Sequence, residues 1–143
     1  YSNEDFQYIW NPCFDLKGLP FKKFDILVSQ AVLEHLSDIR KTFDILYNKI
    51  VSSAIMVHEV GLGAHTGFIR NLDPLNHLRY SDLIWNLLRF DGSPNRIRMT
   101  EFRKIMIDLG FKKVRTKQIA TLDKEYVKNS KPYLSNRFKE YLD

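Results

Sequence analysis

Two short apolar runs on either side of one amphipathic stretch limit what this chain can fold into. Phe24-Asp-Ile-Leu-Val-Ser29 has a continuous apolar centre, the pattern of a strand covered on both faces in a parallel sheet. From Ala31 to about Ile50, the apolar residues Val32, Leu33, Leu36, Ile39, Phe43, Leu46, Tyr47 and Ile50 recur at three and four, which predicts an amphipathic helix. Ser53-Ala-Ile-Met-Val-His58 then reads as a second buried strand. A tight turn cannot join parallel strands, so strand, helix and strand in this order predict a βαβ unit and an α/β fold.

The rest of the chain is read around that unit. Phe6 to Trp10 is short and aromatic and runs into Asn11-Pro12, which predicts a strand ending in a loop. Leu75 to Phe90 has helical apolar spacing around Trp85. Thr100 is placed to cap a helix over Glu101–Leu109 that Gly110 would stop. Phe111 to Leu122 is expected to be a further strand, and Pro132 to Leu142 a terminal helix. A chain of 143 residues, 44% hydrophobic and 27% charged, suits one globular domain and excludes disordered or collagen-like classes. No apolar run is long enough to span a bilayer. The single cysteine, Cys13, cannot form an internal disulfide, so a reducing, cytoplasmic setting is the expectation.

Charge is uneven. Residues 96–143 carry 13 Lys/Arg against 6 Asp/Glu, while residues 1–95 are slightly acidic. The basic third suits either a solvated face or a partner bearing phosphate or carboxylate groups. It has no reading helix, RNA-binding signature or zinc finger, so nucleic acid is not the expected partner.

In an open α/β sheet, ligands bind beyond the carboxyl ends of the strands. Three such ends are polar: Asn11–Leu16 offers Asp15, Ser29–Leu33 offers Ser29 and Gln30 with Glu34-His35 just beyond, and His58–His65 offers His58, Glu59 and His65. A metal hydrolase built on His35, His58, His65 and Glu59 finds no supporting ligand spacing, and no metal site is expected.

Three matches in register then become informative. Asp15-x-x-x-Leu19-Pro20-Phe21, Phe24-Asp25-Ile-Leu-Val28 and Ser29-x-Ala-Val-Leu-Glu34-His35-Leu36 together resemble the middle of a class I S-adenosylmethionine-dependent methyltransferase. Further along, His58-x-Val60, His65, Pro74-Leu75-Asn-His-Leu78-Arg79-Tyr80-Ser81, Trp85, Asn95-Arg96-Ile-Arg98 and Gly110-Phe111 are similar to a subgroup met among bacterial polysaccharide-biosynthesis methyltransferases. The resemblance implies a Rossmann-like, doubly wound and mostly parallel sheet, present in part, as a single partial domain over 1–143. The family's glycine-rich turn does not occur in this sequence. Its first two strands and its last strand are therefore expected to lie outside the chain, and cofactor binding by these residues alone is expected to be weak or absent.

Residue by residue, the resemblance implies that Asp15 accepts from the adenine amino group and that Leu16 packs on the adenine face. Ser29 and Gln30 would line the methionine end of S-adenosylmethionine. His58 or His65 would serve as base if an acceptor hydroxyl must lose its proton. Arg79, Arg96 and Arg98 either clamp an anionic small-molecule or glycan acceptor or form internal salt bridges. Local readings stay open beside these: Asp15 suits a turn before Gly18, and Ser29 and Gln30 suit a helix cap. Glu34 and His35 read as structural residues of a helix's first turns. One departure from the subgroup stands out. Acidic residues accompany its histidines where this chain has Gly61 and Ala64, so His65 is expected to lack an orienting carboxylate. The expected activity is methyl transfer to oxygen or nitrogen, and the alternatives are a catalytically inactive interaction domain or a basic anion-binding module.

Overall fold

The computed structural model describes residues 8–10, 16–19 and 23–142. Strand β1 (Phe24–Gln30) pairs in parallel with β2 (Ile50–Glu59), and helix α1 (Ile39–Lys49) makes the crossover, so the βαβ unit forms. The register sets Leu27 against Met56, Val28 against Val57, Ser29 against His58 and Gln30 against Glu59.

Side chains alternate across a strand, so each pair falls on one face. Leu27, Met56, Ser29 and His58 lie on the covered side. Ile26, Val28, Ile55 and Val57 are 66%, 69%, 60% and 55% exposed on the other. The expectation of two covered faces is corrected: α1 and helix α4 (Met99–Asp108) pack against each other in one layer, and no described element crosses to the opposite face. Leu33, Ile39, Phe43, Leu46 and Phe102 form this core, with Phe43 edge-on to Phe102 and Phe111.

The helix expected from residue 31 starts only at Ile39. Ala31 has a positive φ of 52°, Leu33–His35 is a separate 3-10 turn, and the Asp38 carboxylate accepts from the Lys41 N–H at 2.9 Å as N-cap. The apolar residues before Asp38 kept the helical period for another reason. They turn inward, where Asn95 Nδ2 donates to the Leu33 and Leu36 carbonyls at 2.8 and 2.9 Å.

After β2 come helix α2 (Ile69–Leu72), a 3-10 turn (Asn76–Leu78) and helix α3 (Asp82–Leu88), so the continuous helical stretch expected over 75–90 is divided. Ser81 caps α3. In α4 the cap is one residue pair earlier than Thr100: the Arg98 N–H donates to Glu101 Oε2 at 2.8 Å. Gly110 ends the helix as expected, with φ +95° and Tyr47 Oη only 3.1 Å from where a Cβ would stand.

The strand expected over Phe111–Leu122 does not form. The segment is irregular and mostly exposed, separated from β2 by a broad cleft of about 1960 Å³ that Val51, Ile55 and His58 help line. Strand-like composition needs an edge to pair with, and this segment meets none among the described residues. Tyr8 to Trp10 carry no strand pairing, and the remainder of the expected 6–10 strand lies outside the described residues.

Helix α5 (Lys124–Ser130) and two 3-10 pieces (Lys131–Tyr133, Asn136–Leu142) close the chain, in place of one terminal helix. Here a second core gathers Leu75, Leu78, Leu134 and Phe138 with Tyr126 against it. No described helix is long and apolar enough to cross a membrane.

Candidate functional site

The parallel register brings the carboxyl ends of β1 and β2 side by side. On the covered face, Ser29 Oγ lies 2.7 Å from His58 Nδ1. On the other face, Gln30 Nε2 donates to Glu59 Oε2 at 3.2 Å. His58 packs edge-on to Phe43 with centroids 5.9 Å apart, and its Nε2 is buried without a hydrogen-bond partner among the described residues. Burial lowers the His58 pKa, so the ring is neutral near pH 7.

His65 belongs to a different group. Its ring lies 4.8 Å from that of His35, and a carboxylate oxygen of Glu34 completes a set whose three ligand atoms lie within 4.8 Å of one another. Burial, then the neighbouring His35, lower the His65 pKa against an opposing pull from Glu34. The 3-10 turn that displaces the start of α1 is what holds Glu34 and His35 here. Glu34 is 2% exposed, its carbonyl accepts from the Asn95 N–H, and its Oε1 accepts from the Gly61 N–H at 3.1 Å. His35 Nδ1 lies 2.7 Å from the Gly92 carbonyl.

Gly61 explains how the carboxylate fits. A Cβ at position 61 would lie 2.9 Å from Glu34 Oε1 and 3.6 Å from His65 Nε2. The expectation that His65 lacks a carboxylate neighbour is therefore corrected: Glu34 fills the space that a residue-61 side chain would take. Reading Glu34 and His35 as first-turn helix residues missed this. The adjacent Glu-His pair and a glycine in place of an acid were the available signals, but neither shows which turn carries the pair.

The three arginines all have internal partners. Arg79 Nε donates to Asp73 Oδ2 at 2.7 Å and its guanidinium stands 5.5 Å over the Tyr133 ring. Burial disfavours charge on Asp73, but hydrogen bonds from Arg79 and Tyr126 outweigh it and hold that carboxyl low. Arg96 is 5% exposed; it donates to the Tyr80 carbonyl at 2.6 Å, pairs with Asp82, and lies between the Trp85 and Phe138 rings at 5.2 and 5.1 Å. Arg98 donates to the Leu62 carbonyl at 2.8 Å. Arg79 and Arg96 thus form internal salt bridges, with Asp73 and Asp82, while the bond shown for the Arg98 guanidinium is to a backbone carbonyl.

Leu16 sits in a 3-10 turn (Leu16–Gly18) and packs against the first core. Asp15 lies outside the described residues. The structure thus joins Ser29 to His58, Gln30 to Glu59, and His65 to Glu34 and His35.

Comparison with protein-family models, curated proteins and solved structures finds no match.

Proposed function

We propose that this chain forms part of a cytoplasmic S-adenosylmethionine-dependent methyltransferase acting on oxygen or nitrogen of a small molecule or glycan. The observation that carries the reading is the Ser29–His58 pair at the carboxyl ends of two parallel strands. That is the position in a βαβ unit where ligands bind, and where the sequence resemblance puts the methionine end of the cofactor.

Methyl transfer from a sulfonium is an in-line displacement. The carbon–sulfur bond breaks as the new carbon–oxygen or carbon–nitrogen bond forms, the sulfonium becomes a neutral thioether, and the acceptor's proton passes to a base. Orientation supplies most of the acceleration. His58 suits the base. Its pKa is lowered by burial, and the tautomer that donates Nδ1–H to Ser29 Oγ carries the lone pair on Nε2. The ion pairs of Arg79 with Asp73 and of Arg96 with Asp82 argue against an anion clamp built on those two side chains.

Calorimetric titration of S-adenosylhomocysteine into the full-length gene product tests the reading. Saturable one-to-one binding, weakened about tenfold or more by Asp15→Ala through loss of a charge-assisted hydrogen bond, supports it. A folded protein that binds none of this product analogue contradicts it.

A further inference from the structure

We propose that Glu34, His35 and His65 bind one divalent first-row transition-metal ion, with zinc as the probe. One carboxylate and two imidazoles form a borderline-soft donor set that suits such an ion and leaves a further position for water or a ligand. Magnesium and calcium prefer all-oxygen shells, which this cluster does not offer.

Each residue is prepared for the role by a different feature. The Gly92 carbonyl can only accept, so His35 carries its proton on Nδ1 and presents the lone pair on Nε2. A backbone carbonyl holding the far ring nitrogen is the usual outer-shell support of a metal-bound histidine. Glu34 has one oxygen fixed by the Gly61 N–H, while Oε2 is buried without a hydrogen-bond partner among the described residues. A buried carboxylate oxygen without a partner is costly, and a cation at this point offsets the cost. His65 follows a glycine-containing loop and is exposed, so its ring is free to adjust.

The present spacing is that of an open site. The three donor atoms lie within 4.8 Å of one another, whereas bonds of about 2.0–2.2 Å draw tetrahedral donors to roughly 3.4 Å apart. Closing the set around an ion therefore takes a shift of no more than about 1.4 Å at its widest pair. The site stands on these side chains and does not depend on methyl transfer as the reaction.

The test uses the full-length protein, untagged and stripped of metal by a chelator. Zinc is titrated by calorimetry, and cobalt by the visible absorption of a tetrahedral centre. Saturable one-to-one binding in the micromolar range is expected. His65→Ala should weaken it by about tenfold or more and abolish the cobalt band, while Cys13→Ser should leave both unchanged. His65 is exposed, so this variant keeps the fold; Glu34→Gln, checked for folding by circular dichroism, should lose affinity to a similar degree. No saturable zinc binding, affinity unchanged in His65→Ala, or binding lost in Cys13→Ser overturns the proposal. Methyl transfer could fail its own test while zinc still bound, so the two readings fall separately.

Discussion

The two cores of this molecule treat their polar groups in opposite ways. Around Phe138 and Leu78, charged side chains are consumed internally: Arg96 is buried between two rings, Arg79 and Tyr126 both bond Asp73, and Arg137 reaches Asp82 and Glu101 at 3.2 and 3.0 Å. Around the βαβ unit, the strand ends hold polar atoms that remain unspent, Glu34 Oε2 and His58 Nε2, and the sheet keeps one apolar face bare. Each region leaves one buried imidazole nitrogen unpartnered among the described residues, His58 Nε2 in the first and His77 Nδ1 in the second, but the carboxylate oxygen left so, Glu34 Oε2, belongs to the βαβ unit, and a buried carboxylate oxygen is the costliest to leave unpaired. The difference assigns stability to the second region and chemistry to the first.

The strongest challenge to that division is truncation of the second core. Phe138→Ala removes a fully buried ring that also supports Arg96 and Arg137, and it should cost about 3–5 kcal/mol in urea unfolding. Arg96→Ala should follow, at about 3 kcal/mol, because it strands the Tyr80 carbonyl and removes the stacking on Trp85 and Phe138. A loss well under 1 kcal/mol in either variant would break the comparison.

Acid should act on the same region. His77 is 1% exposed, with Nδ1 unpartnered among the described residues; burial first, then Arg98 and Arg96, lower its pKa from 6.5 to about 3. The unfolded chain takes up a proton between those values and the folded chain does not, so stability falls as pH drops through the window and is unaffected above it. At about 1.4 kcal/mol per unit, acidification from pH 7 to 5 should cost roughly 2 kcal/mol. His58, also lowered by burial, adds in the same direction. In His77→Gln this slope should shrink to the shares of His58 and His65, both also lowered by burial; an undiminished slope would show that His77 is not its source.

The smallest effect should come from the bare sheet face. Val28→Thr keeps the β-branched shape on an exposed position and should change stability by no more than about 0.5 kcal/mol. A larger loss would reveal that this face is covered in solution.

The sequence showed the βαβ unit clearly, because apolar runs and a three-four period report local structure directly. It misplaced the start of α1, since Val32, Leu33 and Leu36 keep the period while Ala31 and Asp38 break the helix. Phe111–Leu122 has strand-like residues, but strand formation depends on a neighbour that local pattern cannot reveal. The site was legible in part. Ser29, Gln30, His58 and Glu59 stand out at strand ends, yet only the register pairs them. The nearness of Glu34 to His65 was hidden because it brings a turn beside a loop beyond the next strand, around a space that Gly61 leaves open.

The most direct measurement is a 1H–15N correlation spectrum of the full-length protein titrated with S-adenosylhomocysteine. The account predicts concentration-dependent shifts at Leu16, Ser29, Gln30 and His58, with Asp73, Arg96 and Tyr126 unmoved. Shifts confined to the second core, or none at saturating ligand, would contradict it.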